Sequence, residues 1–485
     1  MGTQKNLDGV GLPEGQTGSS FLCNILAEAV AAFPEEFENY KPLKLSAFKK
    51  NYGEALVQFE AHRVSSSRRT EIAQFMVQRT QEQLQYKGEG FQGKFREFMT
   101  RPTKPIDLEV VQMQAKAGLA PSVSFNGVSY GASSLPTLAQ KLLGECKMTR
   151  SAAQALSWLK DYTQEHGGKI DLSGKKFVIM GASAELAPTA MLLEAGAHVL
   201  WIDIKSPEDL LSRSHKYSGS LSFSREVNNI LLQPDRIRDA IVTFAAGDPV
   251  HMGMFAYAAG ASQEWRLAAT MNGIICSLPP SIVASVSLLI SPTTVAVIQP
   301  EDMHNAASIK KKPPFWQSLL RSAGQLSKSV SYDGAACPVA RAIVPLQGVS
   351  YQAAQYISKT LASEVFAAHG VSLQGETRSV RVSANVAGIT KTRSLQHPVF
   401  QAAFLGAKAF GVEIFEVPTT RNLATLLMLH DLLNPESYQQ DNVSSVFAKQ
   451  VHGGIYSRAF ALDPMIRIAT VMGLCKRPKL LLGLF

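Results

Sequence analysis

Two short apolar runs, at residues 177–180 and 198–202, form the strongest pattern in the chain. Runs of this length that end in Gly181 and Asp203 predict strands buried on both faces, as in parallel sheets. The segment between them has helical spacing, and Pro188 stands where a first helical turn tolerates proline. The sequence therefore predicts a βαβ unit with a tight turn at Gly181.

The turn after the first strand consists of the small residues Gly181-Ala-Ser183. Small residues let a ligand approach the backbone, and a helix N-terminus offers unpaired N–H groups to a diphosphate. Asp203 follows Gly181 by 22 residues, where an acid accepts hydrogen bonds from an adenosine ribose. This favours NAD, although Lys205 also suits NADP. Glu185 stands where a further glycine is usual, so a βαβ unit without a nucleotide is the alternative.

The first 165 residues show helical spacing interrupted by one hairpin pattern. Residues 122–130 alternate around Asn126-Gly127, which predicts a type I′ turn. Helices are expected at 21–33, within 56–85, at 135–146 and at 151–165. No catalytic constellation is evident there, and we expect a mainly helical N-terminal domain over 1–165 that caps the rest or joins two subunits.

The remaining elements continue an alternating α/β pattern. Strands are expected at 239–247, 294–298, within 377–392 and at 412–417, and helices at 265–278, 350–368, 399–410, 423–433 and 464–474. The stretch 303–344 is either a surface insertion or a lid over an apolar substrate. Together these patterns predict an α/β fold with a Rossmann-like doubly wound parallel sheet over 166–415 and a helical C-terminal extension over 416–485.

Composition narrows the functional classes. Hydrophobic residues make up 46% and charged residues 18% of the 485 residues, which is a globular balance. The net charge of +9 suits anionic partners such as nucleotides, acidic carrier proteins or a membrane surface contacted peripherally. The chain has neither zinc-finger spacing nor a dense basic-aromatic stripe, so we expect no nucleic-acid binding.

The cysteines and the apolar stretches indicate the cellular compartment in which the protein is expected. Five scattered cysteines without a CxxC pair favour a reducing compartment over a disulfide framework, and no HxxxH or HExxH pattern indicates a metal. The first residues lack a hydrophobic signal core, and prolines divide the uncharged stretch 267–300 into pieces too short to span a membrane. We expect a cytoplasmic protein. Its basic and apolar tail, 476–485, is expected to pack on a second subunit of a homo-oligomer.

Four separate pieces of the chain occur in a definite order between residues 175 and 395. They are Gly181-Ala-Ser183, Phe244-Ala-Ala-Gly247, the helix that carries Tyr351, Tyr356 and Lys359, and the segment 380–392, Val-Arg-Val-Ser-Ala-Asn-Val-Ala-Gly-Ile-Thr-Lys-Thr. In this order the pieces resemble the short-chain dehydrogenase/reductase superfamily. Its corresponding motifs are a cofactor turn, an Asn-Asn-Ala-Gly strand end, a Tyr–Lys helix and a segment on the nicotinamide side.

The resemblance implies roles for the tyrosines and the lysine. A tyrosine would exchange a proton with the substrate while hydride moves, and Lys359 would hold the ribose and lower the tyrosine pKa. The usual YxxxK spacing is absent, because Gln355 stands four residues before Lys359. Tyr351, eight residues before it, is similar in spacing to the plant-type enoyl reductases and is preferred as proton donor. Tyr356 is the second choice, and packing roles for both tyrosines are the alternative.

The family's serine at the end of the fifth strand is not evident, since 298–300 reads Ile-Gln-Pro. Enoyl reductases do without that serine, which favours a conjugated C=C substrate. Gln299 or Ser350 is the alternative orienting group. Asn272 either matches the asparagine of the family's fourth helix or is a core amide.

The resemblance as a whole implies an NAD(P)H-dependent reductase of a carbonyl or conjugated C=C on an apolar substrate, such as an acyl thioester. NAD(H) is slightly preferred over NADP(H). The residues expected to contact the cofactor are Gly181, Ala182, Ser183, Leu186, Asp203, Ala246, Gly247, Lys359, Gly388 and Thr390. The alternative is a Rossmann-fold scaffold that has lost catalysis and serves as an interaction protein.

Overall fold

A computed structural model describes residues 8–88, 90–102, 104–258, 260, 262–326, 328–332, 338–371, 380–437 and 443–483. The strands in this part of the chain are β1 (Gly9–Gly11), β2 (Gln85–Gly88), β3 (Phe91–Lys94), β4 (Glu109–Gln112), β5 (Ser122–Phe125), β6 (Val128–Gly131), β7 (Lys176–Met180), β8 (His198–Ile202), β9 (Ser220–Phe223), β10 (Val250–Met254), β11 (Val283–Ile290) and β12 (Arg381–Val386).

The α-helices of the described residues are α1 (Gly18–Ala32), α2 (Leu45–Ser65), α3 (Arg69–Gln83), α4 (Phe95–Phe98), α5 (Leu135–Gly144), α6 (Arg150–Glu165), α7 (Thr189–Glu194), α8 (Glu208–Leu211), α9 (Pro234–Ala245), α10 (Gln263–Cys276), α11 (Pro300–Lys311), α12 (Phe315–Ser322), α13 (Gly348–Gln355), α14 (Ala362–His369), α15 (Pro398–Ala407), α16 (Val417–Leu433) and α17 (Leu462–Lys476). A π-helical segment, Tyr356–Leu361, joins α13 to α14.

Seven strands form one mostly parallel sheet in the order β12-β11-β10-β7-β8-β9-β4. Only β4 runs antiparallel to its neighbour, β9, at one edge. Met180 at the end of β7 pairs with Ile202 of β8 and with Met254 of β10, so these strands end level. The protein is therefore a mixed α/β structure, and the segments that leave its parallel strands gather at one edge of the sheet.

Both faces of this sheet are buried. In β7, Val178 and Met180 belong to one hydrophobic core, whereas Phe177 and Ile179 belong to another. Helices α1–α3, α9, α10, α13 and α14 contribute to the first core, and α5, α6, α7 and α16 to the second. A continuous apolar run is what a strand between two cores requires.

Several predicted elements are confirmed. The βαβ unit over 176–202 has the predicted order and nearly the predicted ends. The hairpin is confirmed in β5 and β6, with Asn126 and Gly127 at φ of 50° and 79° in its turn. The helices predicted at 21–33, 135–146, 151–165, 265–278, 399–410, 423–433 and 464–474 are confirmed as α1, α5, α6, α10, α15, α16 and α17.

The strand predicted at 239–247 is wrong, because this segment belongs to helix α9. Pro234 and Asp235 occupy its first turn, and Ile237 and Ile241 are buried at helical spacing. The strand of this region is β10, where His251 and Gly253 interrupt the apolar pattern. A Cβ at Gly253 would lie 2.7 Å from the Ile179 side chain, so close packing with β7 explains the glycine.

The strands predicted at 294–298 and 412–417 are also wrong. Val297 makes only an isolated bridge with Val339, and Phe415 only one with Thr390. The fifth parallel strand in chain order is β11, which ends at Ile290, four residues before the predicted start at residue 294. The third parallel strand, β9, was not predicted. All four residues of its Ser-Leu-Ser-Phe sequence are buried, but the two serines interrupt the apolar run by which a buried strand is recognised.

The uncharged stretch 267–300 is divided between α10 and β11, as predicted. Among the described helices, none combines the length and the apolar character that crossing a membrane requires. The excursion at 303–344 carries most of α11 and all of α12. In the chain, α11 and α12 follow β11 and precede α13.

A pH dependence of stability arises at His251 on β10. Its Nδ1 lies 2.9 Å from Ser285 Oγ, and burial, with Lys175 and Arg381 nearby, lowers the His251 pKa to about 4. The unfolded chain binds this proton near pH 6.5 and the folded chain only near pH 4. The neutral His251 side chain therefore contributes fully to the unfolding free energy above pH 6.5. This contribution is lost as the pH falls toward 4, and the loss amounts to about 3 kcal/mol.

Denaturant unfolding at pH 7 and at pH 4.5 measures this loss. In His251→Asn the difference in unfolding free energy between the two pH values should shrink by about 2 kcal/mol or more. The exposed His304 provides the matched control, and His304→Asn should retain the wild-type difference. An undiminished difference in His251→Asn would show that this imidazole is not the titrating group.

Candidate functional site

The candidate site lies at the edge of the sheet where the parallel strands end. Open α/β sheets bind ligands at this edge. The segments that meet there follow β7, β8, β10, β11 and β12, namely 181–188, 203–207, 255–258, 291–293 and 387–395.

The turn after β7 is built on Gly181. This residue has φ +88°, and a Cβ there would lie 2.1 Å from the backbone nitrogen of Ala256, which follows β10. Its N–H donates to the Ile202 carbonyl at 2.8 Å, and the Ala182 carbonyl accepts the Thr189 hydroxyl at 2.8 Å. Only glycine fits this position, because the turn is clamped between β8 and the loop after β10.

Asp203 and Ser183 are brought together, as the sequence pattern predicts. Asp203 Oδ2 accepts a hydrogen bond from the Ser183 N–H at 2.8 Å, and Oδ1 accepts one from the Lys205 N–H at 2.9 Å. Each carboxylate oxygen retains a further lone pair. Asp203 thus fixes the turn and can still accept a hydrogen bond from a sugar hydroxyl.

Glu185 turns toward the segment after β12 rather than into the turn itself. Its Oε2 accepts a hydrogen bond from the Arg393 N–H at 3.0 Å, and Oε1 lies 3.3 Å from Arg393 Nε. The guanidinium is 68% exposed and offsets the charge of Glu185. The turn leaves the amides of Glu185 and Leu186 without a protein acceptor among the described residues. A diphosphate at these amides would have Arg393 within reach.

Helix α7 is short and starts only at Thr189. Eight residues of turn therefore separate the end of β7 from the helix, and the helix tip does not follow Gly181 directly. Pro188 was expected near the first helical turn and occupies the N-cap, but the expectation of a tight turn that leads directly from Gly181 into the helix is wrong. An anion at this turn would meet the turn's amides rather than the helix dipole.

Ala246 and Gly247 lie at the opposite edge of the sheet. They end α9, with Ala246 in the left-handed region at φ 49°, and β10 begins only afterwards at Val250. Lys176, at the start of β7, donates a hydrogen bond to the Ala245 carbonyl at 2.9 Å. The Phe-Ala-Ala-Gly sequence is thus a helix end, and Phe255 and Ala256 occupy the position after the strand that the motif was expected to fill.

Tyr356 is part of a buried ionic network. Its hydroxyl donates to Glu60 Oε2 at 2.5 Å, and Arg63 pairs with both Glu60 and Glu364 at 2.7 and 3.0 Å. Burial, followed by the charge of Glu60, raises the Tyr356 pKa far above its usual range. This network joins the π-helical segment to α2 and keeps the Tyr356 hydroxyl away from the strand ends.

Tyr351 lies beside the end of β11. The hydroxyls of Ser291 and Thr293 favour its phenolate, but burial has the larger effect and raises the Tyr351 pKa. Ser291 Oγ lies 2.8 Å from Thr293 Oγ1, and the Ser291 N–H donates to Gln355 Oε1 at 3.0 Å. Tyr351 is therefore a protonated phenol at neutral pH with two hydroxyl groups next to it.

Ser291 is the functional candidate that the sequence reasoning missed. It directly follows β11, the fifth parallel strand, so the expectation that no serine occurs there is wrong. The sequence does contain a signal for this strand end, namely the apolar run 283–290 followed by Ser-Pro-Thr-Thr. It was missed because the strand was predicted at 294–298 instead. Ser350, one alternative orienting group, instead packs against Gly18, and Gln299 occupies the N-cap position of α11.

Lys359 belongs to the π-helical segment and is buried with Glu264. Its Nζ lies 3.8 Å from Glu264 Oε1. Asn272 Nδ2 donates to the Ser358 carbonyl at 2.8 Å, which satisfies a backbone group in this irregular turn. Burial lowers the pKa of Lys359 and raises that of Glu264. Single π-helical turns are common at functional sites.

Gly388 and Thr390 follow β12 and pack against the C-terminal region. A Cβ at Gly388 would lie 2.4 Å from the Phe415 ring, and Thr390 Oγ1 lies 2.7 Å from Thr420 Oγ1. The Thr390 hydroxyl also contacts the Gly388 carbonyl at 2.9 Å. These residues shape the loop that reaches Arg393, and the Thr390 hydroxyl and the Gly388 carbonyl are already bonded.

The structure thus brings most of the sequence-predicted residues to one edge of the sheet. They are Gly181, Ala182, Ser183, Leu186, Asp203, Tyr351, Lys359, Gly388 and Thr390. Their chemistry comprises hydroxyl donors at the end of β11, a buried ammonium–carboxylate pair and a turn in which the amides of Glu185 and Leu186 have no acceptor within the described part of the chain. Comparison with protein-family models found no match for this chain, and a search of curated proteins likewise found none.

Proposed function

We propose that the protein is an NAD(P)H-dependent reductase that acts on a carbonyl or conjugated C=C of an apolar substrate, such as an acyl thioester. The observation that carries this proposal is the placement of Ser291 beside Tyr351 at the end of β11. Lys359 lies further along the same helical stretch, buried beside Glu264. A phenol with adjacent hydroxyl donors is suited to protonate an oxygen or carbon of a reduced substrate.

The sheet order supports a Rossmann-like doubly wound fold. Taken in chain order, the parallel strands are β7, β8, β9, β10, β11 and β12, and their spatial order corresponds to 3-2-1-4-5-6. In this arrangement a dinucleotide lies across the crevice where the strand order reverses, between β7 and β10. Gly181 and Ala256 meet at that point.

The residues around this crevice fit a dinucleotide. Asp203 has lone pairs for the adenosine ribose, which favours NAD. The amides of Glu185 and Leu186 and the guanidinium of Arg393 suit the diphosphate, and Lys359 suits the nicotinamide ribose. The charge of Glu185 opposes a diphosphate, and its pairing with Arg393 reduces that opposition.

When bound, the reduced nicotinamide would supply the hydride. Tyr351 would donate its phenolic proton to the substrate, and its raised pKa keeps that proton in place at neutral pH. Ser291 and Thr293 would orient the substrate oxygen and stabilise the phenolate that remains.

A second candidate function is that of a Rossmann-fold scaffold without catalysis. The contacts of Glu185 and Asp203 favour it, because both carboxylates already bond to the protein at the turn. In that case the same edge of the sheet would bind a protein partner, and no nucleotide would be needed.

Titration with NADH and NADPH distinguishes these two functions. Trp201 lies on β8 next to the crevice, and its fluorescence should transfer to bound reduced nicotinamide. We expect saturation within the range of about 1 μM to 1 mM, with NADH the tighter ligand. Lys359→Ala should weaken binding by about tenfold or more. Lys160 on α6 is partly exposed and is the matched control, and Lys160→Ala should bind as the wild type does. Absence of transfer for both nucleotides up to millimolar concentration would favour the scaffold.

A further inference from the structure

Glu264 is a buried acid with one oxygen unused. It stands in the first turn of α10, just after the loop that leaves β10, and is only 4% exposed. Its Oε2 accepts a hydrogen bond from the Ala258 N–H at 3.0 Å. Its Oε1 has no hydrogen-bond partner in the part of the chain that the structure describes. A buried carboxylate oxygen without a hydrogen-bond donor is costly, and a ligand that donates a hydrogen bond to it would remove that cost.

The position of Lys359 defines what this ligand must offer. Lys359 is 8% exposed, and its Nζ lies 3.8 Å from Glu264 Oε1, which is beyond hydrogen-bonding distance. An oxygen atom placed beside the pair could lie about 2.8 Å from both groups. That oxygen must donate to the carboxylate and accept from the ammonium.

A hydroxyl group meets both conditions. A phosphate oxygen would be repelled by Glu264, and a carbonyl oxygen has no proton to donate to it. A sugar diol is better still, because its second hydroxyl can use another donor position of Lys359. The pair is thus matched to a polyol rather than to an anion or a ketone.

We infer that Glu264 is a ribose-binding residue, and that it accepts a hydrogen bond from a hydroxyl of the nicotinamide ribose while Lys359 donates to the same diol. The inference rests on the proposed function and adds a second residue to its ribose contact. Glu264 lies 95 positions before Lys359 in the sequence and belongs to none of the motifs quoted above.

The inference predicts an effect that depends on the distal ribose. ADP-ribose contains this sugar, whereas ADP ends at the diphosphate, and titration calorimetry with the full-length protein measures the affinity of each. The wild type should prefer ADP-ribose by about tenfold, and Glu264→Gln and Glu264→Ala should reduce this preference toward one. Glu165 is exposed at the end of α6, and Glu165→Gln should retain the wild-type preference.

The comparison of two ligands separates a ribose contact from a structural role. If Glu264 only neutralises Lys359 or holds the loop, its replacement weakens ADP and ADP-ribose equally, and an unchanged preference overturns the inference alone. If the wild type binds neither ADP-ribose, NADH nor NADPH, the proposed function fails and the inference fails with it. Unfolding curves of the variants confirm that the compared proteins are folded.

Discussion

Replacing Gly181 by alanine should destabilise the protein severely and abolish nucleotide binding. The new Cβ would lie 2.1 Å from the Ala256 nitrogen and 2.3 Å from its Cα, and the backbone has φ +88°. Both neighbours are backbone atoms of the loop after β10, so relief requires moving that loop. Backbone strain and overpacking together predict a loss of about 3 kcal/mol or more in unfolding free energy.

Gly174 provides the matched control for this substitution. It lies shortly before β7 and also has a positive φ of +78°, but a Cβ there meets no atom within 4 Å. Gly174→Ala should therefore cost only the backbone strain, about 1 kcal/mol, and leave NADH binding unchanged. Denaturant unfolding and nucleotide titration of both variants measure the difference. Equal losses in the two variants would contradict the close approach of Ala256 to the turn.

The first βαβ unit could be predicted because its signals are local. Strand β7 lies between two hydrophobic cores, so every position from Phe177 to Met180 must be apolar, and the run is visible without any knowledge of the fold. Gly181 and Asp203 mark the strand ends through locally visible features, namely a positive φ and a capped turn, although the close approach of Ala256 to Gly181 is a tertiary contact. Neighbouring residues in the sequence therefore suffice to predict these strands and their ends.

The neighbouring strands escaped prediction because tertiary contacts override their local pattern. Gly253 is required by the Ile179 side chain on the adjacent strand, and it breaks the apolar run of β10. The amphipathic helix α9, just upstream, then offers a more continuous apolar sequence than the strand does. The wrong position predicted for β11 affected the candidate site directly, because Ser291 was then not recognised as the residue that follows the strand.

The pairs that complete the candidate site could not be found in the sequence. Glu185 meets Arg393 across 208 residues, and Tyr356 meets Glu60 across 296. Nothing near either tyrosine in the sequence indicates that Tyr356 is held in an ionic network whereas Tyr351 lies beside Ser291. The helix periodicity places both on one helical stretch, and only the packing of α2 against it separates their environments.

The most direct test of the account is the rate of NADH consumption by Tyr351→Phe and Tyr356→Phe with a panel of aldehydes, ketones and enoyl thioesters. Loss of the proton donor in Tyr351→Phe should lower turnover by about 10²–10⁴-fold while NADH binding is retained. Tyr356→Phe should turn over at close to the wild-type rate and lose about 1–3 kcal/mol of stability, because its hydroxyl serves Glu60. Full activity in Tyr351→Phe, with activity lost in Tyr356→Phe, would contradict the account.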